Sequence, residues 1–239
     1  MNRSHLILLT LALILILFIC LIISLDSLTT NKKPTHDDEW WHKMFYEQNN
    51  KIAHGECDLF LTGDSITMRF ETTAPQAWER YIALHHSINF GIDGDETEDL
   101  MFRLKNARLE KISPDFCTIL IGVNDILKGD KPEIVAEQIQ KITMYLATQY
   151  PTSQILLFHI FPAEYHPSQI RKRIDKTNEF LSGLKYPENV RIITINHEFL
   201  NPDRTLNDAI LPDQLHISKK GYDIWGKVIH EIIENRRNT

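Results

Sequence analysis

The side chains best suited to chemistry at a carbonyl carbon sit in four short stretches of this chain. Gly63-Asp64-Ser65-Ile66-Thr67 follows a short apolar run, where a serine can expose its hydroxyl beside the amino terminus of a following helix. The free N–H groups of such a terminus favour a developing anion. Asn89-Phe90-Gly91-Ile92-Asp93-Gly94-Asp95 follows a second apolar run. Its glycines let the backbone approach a ligand and present an N–H, or simply make a tight turn. Ile121-Gly122-Val123-Asn124-Asp125 follows a third, and Asn124 there can donate its amide to an oxyanion, shape a turn or cap a helix. Asp213-Gln214-Leu215-His216 comes last. A carboxylate three residues before a histidine can accept from its Nδ1–H, fix the tautomer and leave Nε2 as a base. From average composition, G-D-S occurs by chance in roughly one chain in twenty of this length and D-x-x-H in roughly a quarter. Neither decides anything alone. All four in this order, three where an apolar run ends and the fourth in the loop before the last helix, point to Ser65 as nucleophile and His216 as base. Asp64, Asp95 and Asp125 are better suited to holding loops through backbone N–H groups than to proton transfer. His159 and Pro162, after a fourth run, either line a pocket or belong to the packing beside a strand.

Those turns need a frame. Short apolar runs at Leu59–Thr62, Ser87–Phe90, Phe116–Ile121, Gln154–Phe158 and Val190–Ile195 read as strands. Helical patterns fall at roughly 97–109, 133–149 and 167–184, with a last helix from about Lys219 to Ile233. An amphipathic helix is expected from Asp37 to about Ile52, carrying Trp40, Trp41, Met44 and Phe45. Continuously apolar strands alternating with helices predict a five-stranded parallel sheet covered on both faces, an α/β fold of three α/β/α layers. Sites in such sheets form outside the carboxyl ends of the strands, where the four stretches fall.

At these residues the chain resembles the GDSL/SGNH hydrolase superfamily. Gly63-Asp64-Ser65 matches its first block, Gly94 its second, Gly122-Val123-Asn124-Asp125 its third, and Asp213 through His216 its last. Within the superfamily, Asn89 through Thr97 followed by Phe102-Arg103-Leu104 looks like the N-F-G-I-G-G-D-x-T and W-R-L of intracellular platelet-activating-factor acetylhydrolase catalytic subunits and their bacterial relatives. The likeness runs from about Trp40 to Ile233. It departs at Asp93, where that group usually has glycine. The resemblance implies a flavodoxin-like fold and a serine esterase cleaving short acyl esters, acetyl foremost, through an acyl-enzyme. It implies a Ser65–His216–Asp213 triad, and an oxyanion hole of the Ser65 and Gly94 N–H groups with the Asn124 side chain. No metal or organic cofactor is called for. Two other readings stand beside it. One is deacetylation of an acylated cell-envelope glycan, and the other is an idle binding module of the same fold. The module is disfavoured by the presence of all five residues.

Composition bounds the rest. The chain has 239 residues, 43% hydrophobic and 24% charged, which suits one folded domain of about 200 residues behind a distinct leader. A net charge of -6 and the lack of a basic stripe exclude a nucleic-acid footprint. Leu6 to Ile23 is an uncharged apolar run of 18 residues, about 27 Å as a helix, close to bilayer thickness. It is longer than a usual signal-peptide core and ends without an A-x-A site, so an uncleaved anchor is favoured over a cleaved signal. The expected division is residues 1–25 as anchor or signal, 26–36 as linker and 37–239 as the hydrolase domain. The short tail before the span places the domain outside the cytoplasm. The expected partners are a membrane and a small ester or an acylated glycan or lipid. Nothing in the sequence sets an oligomeric state. Eleven histidines show no H-E-x-x-H or clustered metal spacing, and adjacent His85 and His86 read as solvated or capping residues. Cys20, Cys57 and Cys117 make no disulfide framework. Cys57 lies eight residues before Ser65 and Cys117 seven before Asn124, which predicts two free buried thiols at similar depth on adjacent strands.

Overall fold

Strand β1 (Leu59–Gly63) and strand β3 (Phe116–Leu120) are buried along their whole length, which is why their sequences show no alternation of apolar and polar residues. With β2 (Ser87–Gly91), β4 (Gln154–Phe158) and β5 (Val190–Ile193) they form one sheet in the order β2-β1-β3-β4-β5, every pair parallel. The protein is represented by a computed structural model that describes residues 34–36, 38–164 and 169–238. The proposed anchor and Cys20 lie outside the described residues. Among the described residues no helix is long and apolar enough to cross a membrane.

Odd and even strand residues serve opposite faces. Phe60, Phe90, Cys117, Ile119, Ile155 and Leu157 join one apolar cluster, with helices α1 (Glu39–His54), α3 (Thr97–Asn106), α5 (Pro132–Gln149) and α6 (Ile170–Gly183) packed against them. Leu59, Leu61, Leu120, Leu156 and Phe158 join the other, under the segment 66–82 and helix α7 (Lys219–Arg237). Each buried Leu, Ile or Phe contributes roughly 1.5–3 kcal/mol, so the sheet is the rigid floor on which the loops rest. Two further helices are short, α2 (Ser65–Met68) and α4 (Val123–Lys128), and both start where a strand has just ended.

The expected parallel three-layer architecture is therefore present, with differences at the edges. The first helix begins at Glu39, because the Asp38 side chain accepts the Trp41 N–H at 2.9 Å and caps it. Strand β5 stops at Ile193, and a 3-10 turn follows at Asn196–Phe199. Both described cysteines are free and buried. They are not level, however. Cys117 pairs with Phe60, three positions after Cys57. Leu120 is level with Gly63, four residues before Asn124 but only two before Ser65, so equal counts back from the two site residues reach different depths.

Candidate active site

Gly63 closes β1 level with Gly91 of β2 and Leu120 of β3. A Cβ at Gly63 would meet the Leu120 carbonyl oxygen at 2.2 Å and Thr67 Oγ1 at 2.3 Å, so only glycine lets the chain turn here into α2. Asp64 caps α2 by accepting the Ile66 N–H at 2.9 Å. Burial, reinforced by Asp95, Asp125 and Asp93 nearby, pushes its carboxyl up to about 7. The turn leaves buried Ser65 as the first residue of α2. Tyr222 of α7 donates its hydroxyl to the Ile66 carbonyl at 2.7 Å and fixes the helix from the other layer.

Ser65, His216 and Asp213 come together although 151 positions separate the first pair. Ser65 Oγ lies 3.0 Å from His216 Nε2. His216 Nδ1 lies 2.7 Å from Asp213 Oδ2. The other Asp213 oxygen accepts the backbone N–H groups of His216 at 2.6 Å and Leu215 at 3.0 Å. Gln214, between them, has φ of +65°, a left-handed conformation that lets one carboxylate reach both amides and the ring. Partial burial raises the Asp213 pKa, but the hydrogen bonds from the His216 ring and the two backbone groups outweigh it and hold the carboxyl below its usual range. The arrangement can pass a proton from a hydroxyl to an imidazole whose tautomer is set from behind.

The loop after β2 turns at Gly94, where φ is +83°. Its neighbour Asp95 accepts the Asn124 side-chain amide through its backbone carbonyl at 2.9 Å. One of the two Asn124 amide hydrogens is thereby used, and Asn124 is joined to the Gly94 loop. The sequence predicts that Asp64, Asp95 and Asp125 hold loops through backbone N–H groups. Asp64 does so, and Asp125 takes the Thr97 N–H at 3.1 Å and its hydroxyl at 2.6 Å. Asp95 does something else. Its carboxylate accepts the Trp41 indole N–H at 2.7 Å and pairs with Arg103, whose Nε lies 2.8 Å away and whose Nη2 also contacts it. Arg103 is fully buried and further donates to the carbonyls of Phe90 at 2.7 Å and Gly63 at 3.2 Å. Burial pushes the Asp95 carboxyl up and the Arg103 guanidinium down, in spite of their attraction.

Several supports had no local signal. Gln48 of α1 donates to the Gly91 carbonyl at 2.5 Å. Asp99 accepts the N–H groups of Thr35 at 2.6 Å and His36 at 3.2 Å, and meets the His36 ring at 3.1 Å. That ring rests on Gly94, with Nε2 3.0 Å from where a Cβ would stand. Asp93 makes a two-point ion pair with Arg69, 2.6 Å at its shortest, and so ties α2 to the same loop. Its neighbours on the sequence gave no hint of this partner. His159 pairs with Ser182 at 3.0 Å and lines a polar cavity of about 680 Å³ with Arg171, Asn178, Asn196 and His197. Pro162 is buried. Acidic groups near the site that could face a cation, such as Asp95 and Asp99, already accept from the side chains and amides just named.

The profile of the GDSL-like Lipase/Acylhydrolase family matches residues 61–224. The chain is 29% identical over 202 residues to platelet-activating factor acetylhydrolase IB subunit alpha2 of Rattus norvegicus, covering 82% of this chain and 84% of that protein. Its fold is similar to a GDSL-like lipase from Bacteroides thetaiotaomicron, with a TM-score of 0.67 and 18% identity over 82% of this chain and 98% of that one. The lipase/acylhydrolase from Enterococcus faecalis gives a TM-score of 0.59 and 25% identity, over 75% and 96% of the two chains.

Proposed function

Because the chain belongs to the GDSL-like lipase/acylhydrolase family and is thus a carboxylic ester hydrolase, we propose that Ser65, His216 and Asp213 are its triad and that it cleaves short acyl esters, acetyl above all. The observation that carries this reading is the unbroken run of hydrogen bonds from Asp213 through His216 to Ser65, at 2.7 and 3.0 Å. The likeness to a platelet-activating factor acetylhydrolase supports the acetyl preference.

In the proposed reaction Ser65 Oγ attacks the ester carbonyl while His216 Nε2 takes its proton. The carbonyl oxygen becomes an oxyanion, held by the Ser65 and Gly94 N–H groups and the remaining Asn124 amide hydrogen. Asp213 stabilises the imidazolium. His216 then returns the proton to the departing alkoxide, and the alcohol leaves the acyl-Ser65 ester. Water, deprotonated by His216, attacks that ester and releases the acid, restoring the Ser65 hydroxyl. The apolar run Leu6–Ile23 is proposed to anchor the domain in a membrane, on the strength of its length and lack of charge.

Hydrolysis of p-nitrophenyl esters of increasing chain length, together with acetylated oligosaccharides, tests the reading. The expected result is fastest turnover of acetate and its loss in Ser65→Ala with an unchanged circular dichroism spectrum. A Ser65→Ala protein keeping more than a few per cent of the rate would refute the assignment. Turnover confined to acetylated oligosaccharides would replace the small ester by a glycan.

A further inference from the structure

We propose that His85, His230 and Glu234 form a binding site for a divalent transition-metal ion, with zinc the best match, at the edge of the sheet opposite Ser65. His230 and Glu234 stand one turn apart on α7 and share a face. His85 closes the 3-10 turn Ala83–His85 that leads into β2. Its Nε2 lies 3.1 Å from Nδ1 of His230. A Glu234 carboxylate oxygen lies within 4.8 Å of ligand atoms of both rings. Two nitrogens bound tetrahedrally to one zinc at its usual bond lengths are about 3.3 Å apart, so the imidazoles already stand near ligand spacing. Two imidazoles and a carboxylate are a donor set that suits zinc. His85 is buried, whereas His230 and Glu234 are half-buried, which leaves a side open for a solvent ligand.

Arg237 sets the condition for loading. Its Nη1 lies 3.3 Å from His85 Nδ1 and 3.7 Å from Glu234, and its Nη2 lies 3.9 Å from Asp58. A guanidinium donating to Nδ1 places the single ring proton of neutral His85 on Nε2, where it is donated to His230 Nδ1. To accept a metal, His85 moves that proton from Nε2 to Nδ1, and Arg237 turns away towards Asp58. His230 already offers Nδ1 and needs no change. The site is thus latent, with Arg237 competing against the ion. The sequence gives no warning of it, because 145 positions separate His85 from His230.

The test uses the full-length chain in detergent, stripped with a chelator and titrated with zinc against a chromogenic competitor while melting is followed in parallel. One equivalent is expected to bind at micromolar concentration or tighter and to raise the melting temperature. His230→Ala and Glu234→Gln are each expected to weaken that binding by about tenfold or more, with p-nitrophenyl acetate hydrolysis unchanged. Arg237→Gln is expected to bind more tightly, since glutamine can accept from Nδ1–H. Equal zinc binding by wild type, His230→Ala and Glu234→Gln would overturn the proposal. So would the absence of binding at about 100 μM zinc, which would leave the His85–His230 contact as a hydrogen bond between two helical segments.

Discussion

Asn124 commits one amide hydrogen to the Asp95 carbonyl and keeps the other. If that second hydrogen meets the oxyanion, Asn124→Ala lowers kcat by about 10²–10³ and leaves KM nearly unchanged. A raised KM with intact kcat would instead make it a substrate-binding residue. The same bookkeeping of bonds separates His216 from Asp213. His216 is the group that moves the proton, while Asp213 orients the ring and holds the Leu215 and His216 amides. His216→Ala is therefore expected to lose more kcat than Asp213→Ala in steady-state assays, and equal or reversed losses would contradict the division of labour. Because the Asp213 carboxyl is held below its usual range, it stays ionised through the acid conditions in which an ordinary carboxylate would begin to protonate.

At the scale of elements, the strand ends were legible because each buried parallel strand is an apolar run closed by glycine or a turn. Ser65, Gly94 and Asn124 could be placed at those ends without coordinates, and His216 in the loop just before the last helix. What holds the ends was not legible. Trp41 and Asp95 are 54 positions apart, and Gln48 and Gly91 are 43 apart, so no local period connects them. The segment 70–85 breaks into short helical, π and 3-10 turns whose mixed geometry gives no single hydrophobic repeat. Depth along the strands is illegible in the sequence for a related reason, since loops of unequal length separate Gly63 from Ser65 and Leu120 from Asn124. The buried Arg103 is where these elements meet. Arg103→Met removes its bonds to Phe90, Gly63 and Gln48 and leaves Asp95 as an uncompensated buried charge. Breaking such a pair costs about 3–5 kcal/mol, so the melting temperature is expected to fall by roughly 6–20 °C. A drop under about 2 °C in a thermal melt would show that the pair is dispensable.

For the whole molecule, the question is how the leader and the catalytic domain are divided. If the apolar run Leu6–Ile23 is an uncleaved anchor, full-length protein stays in membranes through high-salt and carbonate washes, while residues 35–239 are soluble and active. Mature protein beginning near residue 25–30 would show a cleaved signal instead. Thr35 and His36 read as linker by composition, yet both are bonded to Asp99.

That contact sets a cutting point for anyone preparing the domain without its leader. Secondary structure suggests starting at Glu39, the first residue of α1. Such a chain would lose the Thr35 amide, the His36 amide and the His36 ring, and of the donors described here for Asp99 would keep only the Glu96 N–H at 3.0 Å. A buried carboxylate would be left short of partners, one turn from the bend at Gly94. A recombinant fragment that expresses well but turns over slowly would then reflect where it was trimmed, and the remedy would be to begin no later than Thr35.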